Sequence, residues 1–269
     1  MADPQLTFAV LSDMHFMAWK ETGAPVDWTP ALEKVLSDVH AKGPDFVVIN
    51  GDLTNGKERD YALALASLRR FCPRRAYFTM GNHEYYGFHE EEDFTPALAQ
   101  ARFCRHAGRQ HPWYEQRVAG LSFLFLATER YAPDMNDAAW LSDVQLRWFA
   151  DRLEAAPPGP VFAFLHQPVG GTVAGSEGSC FQSDELRAIL RRRPGVIFCS
   201  GHTHCRMDRA DQLVVQDGTL FVGGGCCYTG TPQSRWVELH ADRVLLRLWD
   251  HTEDRWLEAY DCTWDRMTS

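Results

Sequence analysis

Five short apolar runs each end in a small cluster of polar residues, and this repeated arrangement constrains the fold more than any other feature of the chain. The runs are short and apolar enough to form buried strands. They span residues 6–11, 46–49, 76–80, 161–165 and 196–199. In open α/β sheets, ligands bind beyond the carboxyl ends of the strands, so we expect the polar clusters to meet in one crevice.

The polar clusters supply carboxylate, amide and imidazole groups, which are the ligands that divalent metals take from proteins. In chain order, the candidate metal ligands are Asp13, His15, Asp52, Asn82, His166, His202 and His204. A histidine or a Gly-Asp pair alone is a weak signal, whereas the joint occurrence of these clusters at strand ends is specific. The sequence therefore predicts a metal site where the strand ends converge.

The chain alternates strands and helices in its first third and changes character twice after that. Helices are predicted over 31–41, 57–71 and 141–155, and Ser142 and Gln145 are suited to cap the last of these. Residues 85–112 interrupt the alternation, and we interpret them as a small cap insertion. From Leu213 onward, short strands over 213–215, 220–222, 236–240, 244–249 and 256–260 predict a second, largely antiparallel sheet. We expect a single domain over 1–269, with both sheets packed between helices.

Composition limits the partners and the compartment. The 269 residues are 45% hydrophobic and carry a formal net charge of −9, so long nucleic acids are not expected as partners. No apolar run is long enough to span a bilayer, and no secretory signal precedes the first strand. The eight cysteines are expected to stay reduced, as in a cytoplasmic protein. A homodimer is left open.

The clusters follow the pattern D-x-H, G-D, G-N-H-[D/E], H and G-H-x-H. In this order they resemble the calcineurin-like metallophosphoesterase superfamily, and in appearance most of all its cyclic-nucleotide phosphodiesterase branch. The resemblance implies a four-layer α/β/β/α sandwich, an α/β fold of two mixed sheets flanked by helices. It also implies two ions of Mn, Fe or Zn. One would be held by Asp13, His15, Asp52 and His204, and the other by Asp52, Asn82, His166 and His202.

The resemblance further implies that a hydroxide shared by the two ions hydrolyses a phosphoester. His83 would be the catalytic residue that stabilises charge or protonates the leaving alkoxide, with Glu84 or a nearby carbonyl orienting its ring. We expect a small phosphodiester as substrate, either a cyclic nucleotide or a glycerophosphodiester. A phosphomonoesterase, a nucleotide pyrophosphatase and a metal-binding scaffold without catalysis are the alternatives.

A few residues outside the motif are weaker candidates for substrate contacts. His89 could reach over the site from the insertion, and Arg206 could bind a phosphate oxygen or pair with Asp208 or Asp211. Candidates for stacking on an aromatic leaving group are Trp19, Tyr85, Tyr86 and Tyr131. Cys205 is a possible metal ligand, whereas Cys226 and Cys227 are predicted to be core residues.

Overall fold

The structure is a computed structural model that describes residues 3–18, 27–131, 137–228 and 230–265. The α-helices are Thr29–Ala41 (α1), Glu58–Phe71 (α2), Pro96–Ala107 (α3), Asp143–Glu154 (α4) and Ser183–Leu190 (α5). The strands are Leu6–Leu11 (β1), Phe46–Asn50 (β2), Arg75–Thr79 (β3), Tyr114–Val118 (β4), Leu121–Phe125 (β5), Val161–Phe164 (β6), Val196–Ser200 (β7), Leu213–Gln216 (β8), Thr219–Gly223 (β9), Gln233–Leu239 (β10), Arg243–Asp250 (β11), Arg255–Trp256 (β12) and Cys262–Asp265 (β13).

The strands form two mixed sheets. The first sheet has the order β12-β11-β10-β1-β2-β3, with β13 also paired to β11, and the second has the order β4-β5-β6-β7-β9-β8. β1, β2 and β3 run parallel, while β10 joins β1 in antiparallel register. In the second sheet β5, β6, β7 and β9 are parallel. The expected pair of mixed sheets is confirmed.

The main hydrophobic core lies between the two sheets. Phe8 stacks on Phe46 within the first sheet with ring centroids 4.8 Å apart, and Phe123 stacks on Phe162 within the second at 4.9 Å. Phe8 meets Phe162 edge-on across the interface at 5.2 Å. All four side chains are almost completely buried, and each contributes about 1.5–3 kcal/mol through its removal from water. This aromatic layer fixes the two sheets against each other.

Helices cover the outer face of each sheet. Leu32 and Leu36 of α1 pack with Ala64 of α2 against the first sheet. Phe149 of α4 and Leu186 of α5 pack against the second. Ser142 caps α4 by accepting a hydrogen bond from the Gln145 backbone N–H at 3.2 Å, as the sequence predicts. The four-layer α/β/β/α sandwich is therefore confirmed.

The region from residue 213 onward differs from the prediction of a separate antiparallel sheet. β8 and β9 extend the second sheet, and β9 runs parallel to β7. β10 to β13 instead complete the first sheet beside β1. The sequence pattern predicts where most of these strands lie, but not which strands they pair with. The predicted strand over 256–260 is also wrong, because only Arg255–Trp256 pairs and Glu258–Tyr260 forms a 3-10 helix.

The segment predicted to be a cap consists mainly of a 3-10 helix, His83–His89, followed by α3. Tyr85, Ala99 and Phe103 of this segment are buried in a small cluster with Met80 and Ala127. The segment is thus anchored beside the carboxyl end of β3. Its role as a cap over substrate stays a prediction.

Candidate metal centre

The residues predicted to bind metal all lie just beyond the carboxyl ends of strands. Asp13 follows β1, Asp52 follows β2, and Asn82 follows β3 in the first sheet. His166 follows β6 and His202 follows β7 in the second sheet. Because parallel strands of both sheets end on the same side of the sandwich, these side chains meet in one site.

Two buried carboxylates form the middle of the site. Asp52 Oδ2 lies 3.0 Å from His166 Nε2 and 4.0 Å from His15 Nε2. Asp13 Oδ1 lies 3.0 Å from His204 Nε2 and 3.7 Å from His166 Nε2. Asp52 therefore stands between the imidazoles of His15 and His166, where one carboxylate can serve two ions.

The remaining candidate ligands lie on either side of these carboxylates. His202 Nδ1 is 3.1 Å from Asn82 Oδ1, and the His166 and His202 rings are 5.5 Å apart. On the other side, His15 Nε2 is 3.4 Å from His204 Nε2. The His204 side chain is 46% exposed, so the site opens to solvent at this side.

Several residues around the site have backbone conformations that residues other than glycine rarely adopt. Asp13, His15, Asp52, His202 and His204 have positive φ angles of 54°, 47°, 50°, 69° and 52°. Each such residue costs of order 1–3 kcal/mol and persists only where the surrounding structure determines it. The sheets therefore hold these five side chains inward against a conformational cost, which is typical of functional sites.

Glycines preceding the motif residues allow the loops to approach closely. Gly51 has φ +86°, and a Cβ atom there would lie 2.3 Å from His166 Nδ1. A Cβ atom at Gly201 would lie 2.7 Å from Asp13 Oδ2. Glycine is thus required at both positions for the ligands of the two sheets to meet.

The buried carboxylates of Asp13 and Asp52 shift the pKa values of the neighbouring histidines. Burial opposes protonation of His166, but Asp52 and Asp13 outweigh it and raise the pKa of this imidazole to about 10. The close contact with the Asp13 carboxylate raises the pKa of His204 to about 11. Burial lowers the pKa of His15 and of His202 to about 4. The carboxylates therefore favour positive charge, while two of the imidazoles favour the neutral form that binds metal.

The hydrogen bonding of the site fits metal ions as well. His166 Nδ1 donates to the Asn50 carbonyl oxygen at 2.8 Å, which directs Nε2 toward the carboxylates, where a metal ion would replace its proton. His166 Nε2 and Asp13 Oδ1 are buried, and within the described part of the chain neither makes a hydrogen bond of regular geometry. Their close contacts are ion pairs: His166 Nε2 lies 3.0 Å from Asp52 Oδ2, and Asp13 Oδ1 lies 3.0 Å from His204 Nε2. Unpaired buried polar atoms are costly, and a shared cation would satisfy both. Asp13, Asp52 and His166 have donor atoms within 4.8 Å of one another.

His83 lies at the edge of this cluster. Its Nε2 is 4.0 Å from Asp52 Oδ2, and its side chain is 25% exposed. Its Nδ1 donates to Asn55 Oδ1 at 2.9 Å, and its ring stacks on Tyr86 with centroids 4.0 Å apart. Asn55 therefore orients the ring, and neither Glu84 nor a backbone carbonyl does so.

Glu84 has a different task. Its two carboxylate oxygens accept hydrogen bonds from the backbone N–H groups of Asp52, Thr54 and Gly81 at 3.1, 3.0 and 2.8 Å. Burial and the nearby Asp52 raise the pKa of this carboxyl to about 7. Glu84 thus ties together the loops that carry Asp52 and Asn82.

The weaker substrate candidates are distributed unevenly. His89 is exposed and contacts Phe88 and Tyr86, whose ring lies on His83. The Arg206 guanidinium pairs with Asp208 at 2.6 Å and Asp250 at 3.4 Å, and it also donates to Thr231. A phosphate contact from Arg206 would compete with these pairs.

Other residues singled out in the sequence take up varied positions. Tyr85 is buried and donates to the Thr128 carbonyl oxygen, so it is a core residue, whereas Tyr131 stacks on Phe88. Trp19 lies outside the described residues. Cys205 Sγ donates to the Ala174 carbonyl oxygen at 3.7 Å.

Two residues lie beside the candidate site residues without having been predicted there. Asn55 lies three positions after Asp52 on the same loop, and only its contact with His83 reveals its function. Cys226, predicted to be a core residue, has its Sγ within 4.8 Å of the donor atoms of His15 and His204. Its position shortly after the carboxyl end of β9 is the signal that could have found it, since the other clusters occupy the same position on their strands.

The comparison with protein families now identifies the class. The profile of the calcineurin-like phosphoesterase family matches residues 6–206, and the chain belongs to this family. Members of this family depend on a dinuclear metal centre, and the clusters of candidate ligands described above agree with that requirement. The resemblance noted in the sequence is thereby confirmed at the level of the family.

Individual relatives are more distant. The transmembrane protein with metallophosphoesterase domain from Danio rerio is 26% identical over 207 residues, which cover 74% of this chain and 40% of that protein. This chain therefore spans less than half the length of the curated relative. Among the described residues, no helix has both the length and the apolar character needed to cross a bilayer.

Solved structures share the fold. A dimetal phosphatase from Danio rerio superposes with a TM-score of 0.74 at 16% identity, covering 98% of this chain and 100% of that one. A purple acid phosphatase from yellow lupin (Lupinus luteus) gives 0.67 at 14% identity, covering 96% and 53%. The phosphopantetheinyl hydrolase of Mycobacterium tuberculosis gives 0.52 at 16% identity, covering 82% and 90%. At these identities the likeness shows the fold alone.

Proposed function

We propose that this protein is a dinuclear metal-dependent phosphoesterase that acts on small phosphodiesters. The observation that carries the proposal is the convergence of seven donor side chains, two of them buried carboxylates, with Asp13 Oδ1 and His166 Nε2 lacking hydrogen bonds of regular geometry. One ion would be held by Asp13, His15, Asp52 and His204, and the other by Asp52, Asn82, His166 and His202. Mn, Fe and Zn all suit this set of carboxylate, amide and imidazole ligands.

The protein residues have distinct tasks in this proposal. A bound pair of ions supplies Lewis-acid activation of water and of the phosphate oxygens. Asp52 fixes the spacing of the two metal positions because its carboxylate faces both His15 and His166. His83, whose Nδ1–H donates to Asn55, acts as an imidazolium that delivers its Nε2 proton to the leaving alkoxide and becomes a neutral imidazole.

The charges around the site favour a diester over a monoester. A phosphomonoester dianion carries one more negative charge than a diester, and an arginine or lysine commonly neutralises it. Arg206 is already paired with Asp208 and Asp250, and Arg130 lies over the Trp140 ring at 3.7 Å. Binding the extra charge would compete with these contacts. Cyclic nucleotides and glycerophosphodiesters are the small diesters that we propose as substrates.

The proposal also covers the compartment, the excluded substrates and the oligomeric state. All eight cysteines are free thiols in the structure, which agrees with a reducing compartment, and we propose the cytoplasm. The net charge of −9 continues to argue against long nucleic acids as substrates. A homodimer stays a prediction.

Paired substrates test this function. The measurement is kcat/KM of metal-loaded protein on bis-p-nitrophenyl phosphate and on p-nitrophenyl phosphate, with the metal content determined on the same preparation. We expect two ions per chain and a preference for the diester. A preference for the monoester would make the protein a phosphomonoesterase, and two bound ions without turnover on either substrate, or on cyclic nucleotides and nucleotide pyrophosphates, would favour a scaffold.

A further inference from the structure

The cysteine at position 226 lies on the side of the site where His15 and His204 meet. The donor atoms of His15, His204 and Cys226 all lie within 4.8 Å of one another. Ligand atoms at about 2.0–2.3 Å from one ion are separated by no more than about 4.4 Å, so a small adjustment brings all three to a common metal. Cys226 is 8% exposed and therefore faces this cluster and not bulk solvent.

The loop that carries Cys226 is hydrogen-bonded to the segment that follows β1. The backbone N–H groups of Cys227 and Tyr228 donate to the Asp13 carbonyl oxygen at 3.2 and 3.1 Å. Cys226 Sγ itself approaches that oxygen at 3.5 Å. These contacts fix the sulfur atom relative to Asp13. A ligand that is preorganised for metal must be fixed in this way.

Asp13 Oδ1 supplies an independent sign that an ion belongs at this point. This atom is buried and makes no hydrogen bond of regular geometry in the described part of the chain, although it lies 3.0 Å from His204 Nε2 and 3.9 Å from His15 Nε2. The same two imidazoles face Cys226. One cation would therefore satisfy the carboxylate, both imidazoles and the sulfur.

We propose that Cys226 is a ligand of the ion held by Asp13, His15 and His204, so that one metal position is sulfur-containing and the other is not. The inference rests on the proposed dinuclear site and adds a ligand to it. On binding, the thiol transfers its proton to solvent and the thiolate sulfur coordinates the ion. Sulfur ligands favour Zn over Mn, so the two positions differ in their metal preference.

X-ray absorption at the zinc edge tests this proposal directly on the full chain. The wild-type protein loaded with two zinc ions should show one sulfur for every two zinc ions, at about 2.3 Å. The Cys226→Ser variant should lose this sulfur. Cys205→Ser is the matched control, because Cys205 adjoins His204 in the sequence while its Sγ bonds the Ala174 carbonyl oxygen; this variant should keep the sulfur.

Affinity gives a second measurement. Loss of residues that only support metal ligands lowers metal affinity by about 10- to 100-fold, so removal of a direct ligand should weaken zinc at one of the two positions by at least about 10-fold. Binding of Mn should change less, which lowers the preference for zinc. The Cys205→Ser protein should bind both metals as the wild type does.

The outcomes separate this inference from the proposed function. Two bound zinc ions with only nitrogen and oxygen neighbours in the wild type would overturn the role of Cys226 and leave the dinuclear site intact. A failure to bind two ions would overturn the proposed function itself. Because the wild-type spectrum decides the point, the test stands even if Cys226→Ser does not fold, and sulfur lost in Cys205→Ser alone would also overturn the assignment.

Discussion

Removing the Asn55 side chain is expected to slow catalysis without removing metal, because Asn55 acts only through His83. The two side chains share one hydrogen bond of 2.9 Å between His83 Nδ1 and Asn55 Oδ1. Such a bond is worth about 0.5–1.5 kcal/mol net, which corresponds to about a 2- to 13-fold change in rate. Asn55→Ala should therefore lower kcat by this factor, while Asn55→Asp retains an acceptor and should recover most of it.

The magnitude for His83 itself is larger and depends on the leaving group. A general acid contributes about 10²–10⁴-fold to the rate when the leaving group needs a proton. His83→Ala should lose this factor on a glycerophosphodiester, whose leaving alkoxide is strongly basic. On bis-p-nitrophenyl phosphate the loss should be much smaller, because nitrophenolate departs without a proton.

A double-mutant cycle on the glycerophosphodiester then tests the coupling. Once His83 is alanine, Asn55→Ala should have no further effect on kcat. Metal content is measured for every variant, since metal loss in His83→Ala would make this residue a ligand. Equal losses on both substrates, or an undiminished effect of Asn55→Ala in the absence of His83, would refute the reasoning.

Three further substitutions probe the centre. Asp52→Asn should lower metal occupancy and turnover together, since this carboxylate faces both metal positions; a fully active variant would contradict the two-metal assignment. Gly51→Ala should lower the free energy of unfolding by at least about 1–3 kcal/mol from backbone strain alone. Its Cβ would also displace His166, so calorimetry should show lower stability and metal analysis lower metal content. Glu84→Gln should cost about 1–3 kcal/mol, because an amide offers one oxygen to three backbone donors and leaves one of them unpaired; an unchanged melting temperature would show that these hydrogen bonds do not support the loops.

The parts of the molecule that were predictable from sequence are those with a local signal. The strand ends before Asp13, Asp52 and His166 were visible because a buried parallel strand is a short apolar run and its ligand follows at once. The capping of α4 by Ser142 was visible because the side chain bonds a backbone group three residues away.

The parts that were not predictable depend on contacts between distant segments. The alternating strands after position 213 gave no information about which sheet each would join, since that choice is made by pairing with β1 and β7. Cys226 is buried, as predicted, but its proximity to His15 and His204 has no local sequence signal, because a buried thiol looks the same whatever its neighbours are. Its neighbours His15 and His204 come from two other loops, one in each half of the chain.

The pairing of β1 with β10 has a consequence for how the chain is made. Leu6 lies opposite Leu239 in the ladder, so β1 leaves the ribosome long before its antiparallel neighbour exists. Such distant pairing slows folding, and a nascent chain would expose the unpaired edge of β1 until β10 is synthesised. We therefore expect the incomplete polypeptide to depend on chaperone protection until β10 emerges and can pair with β1.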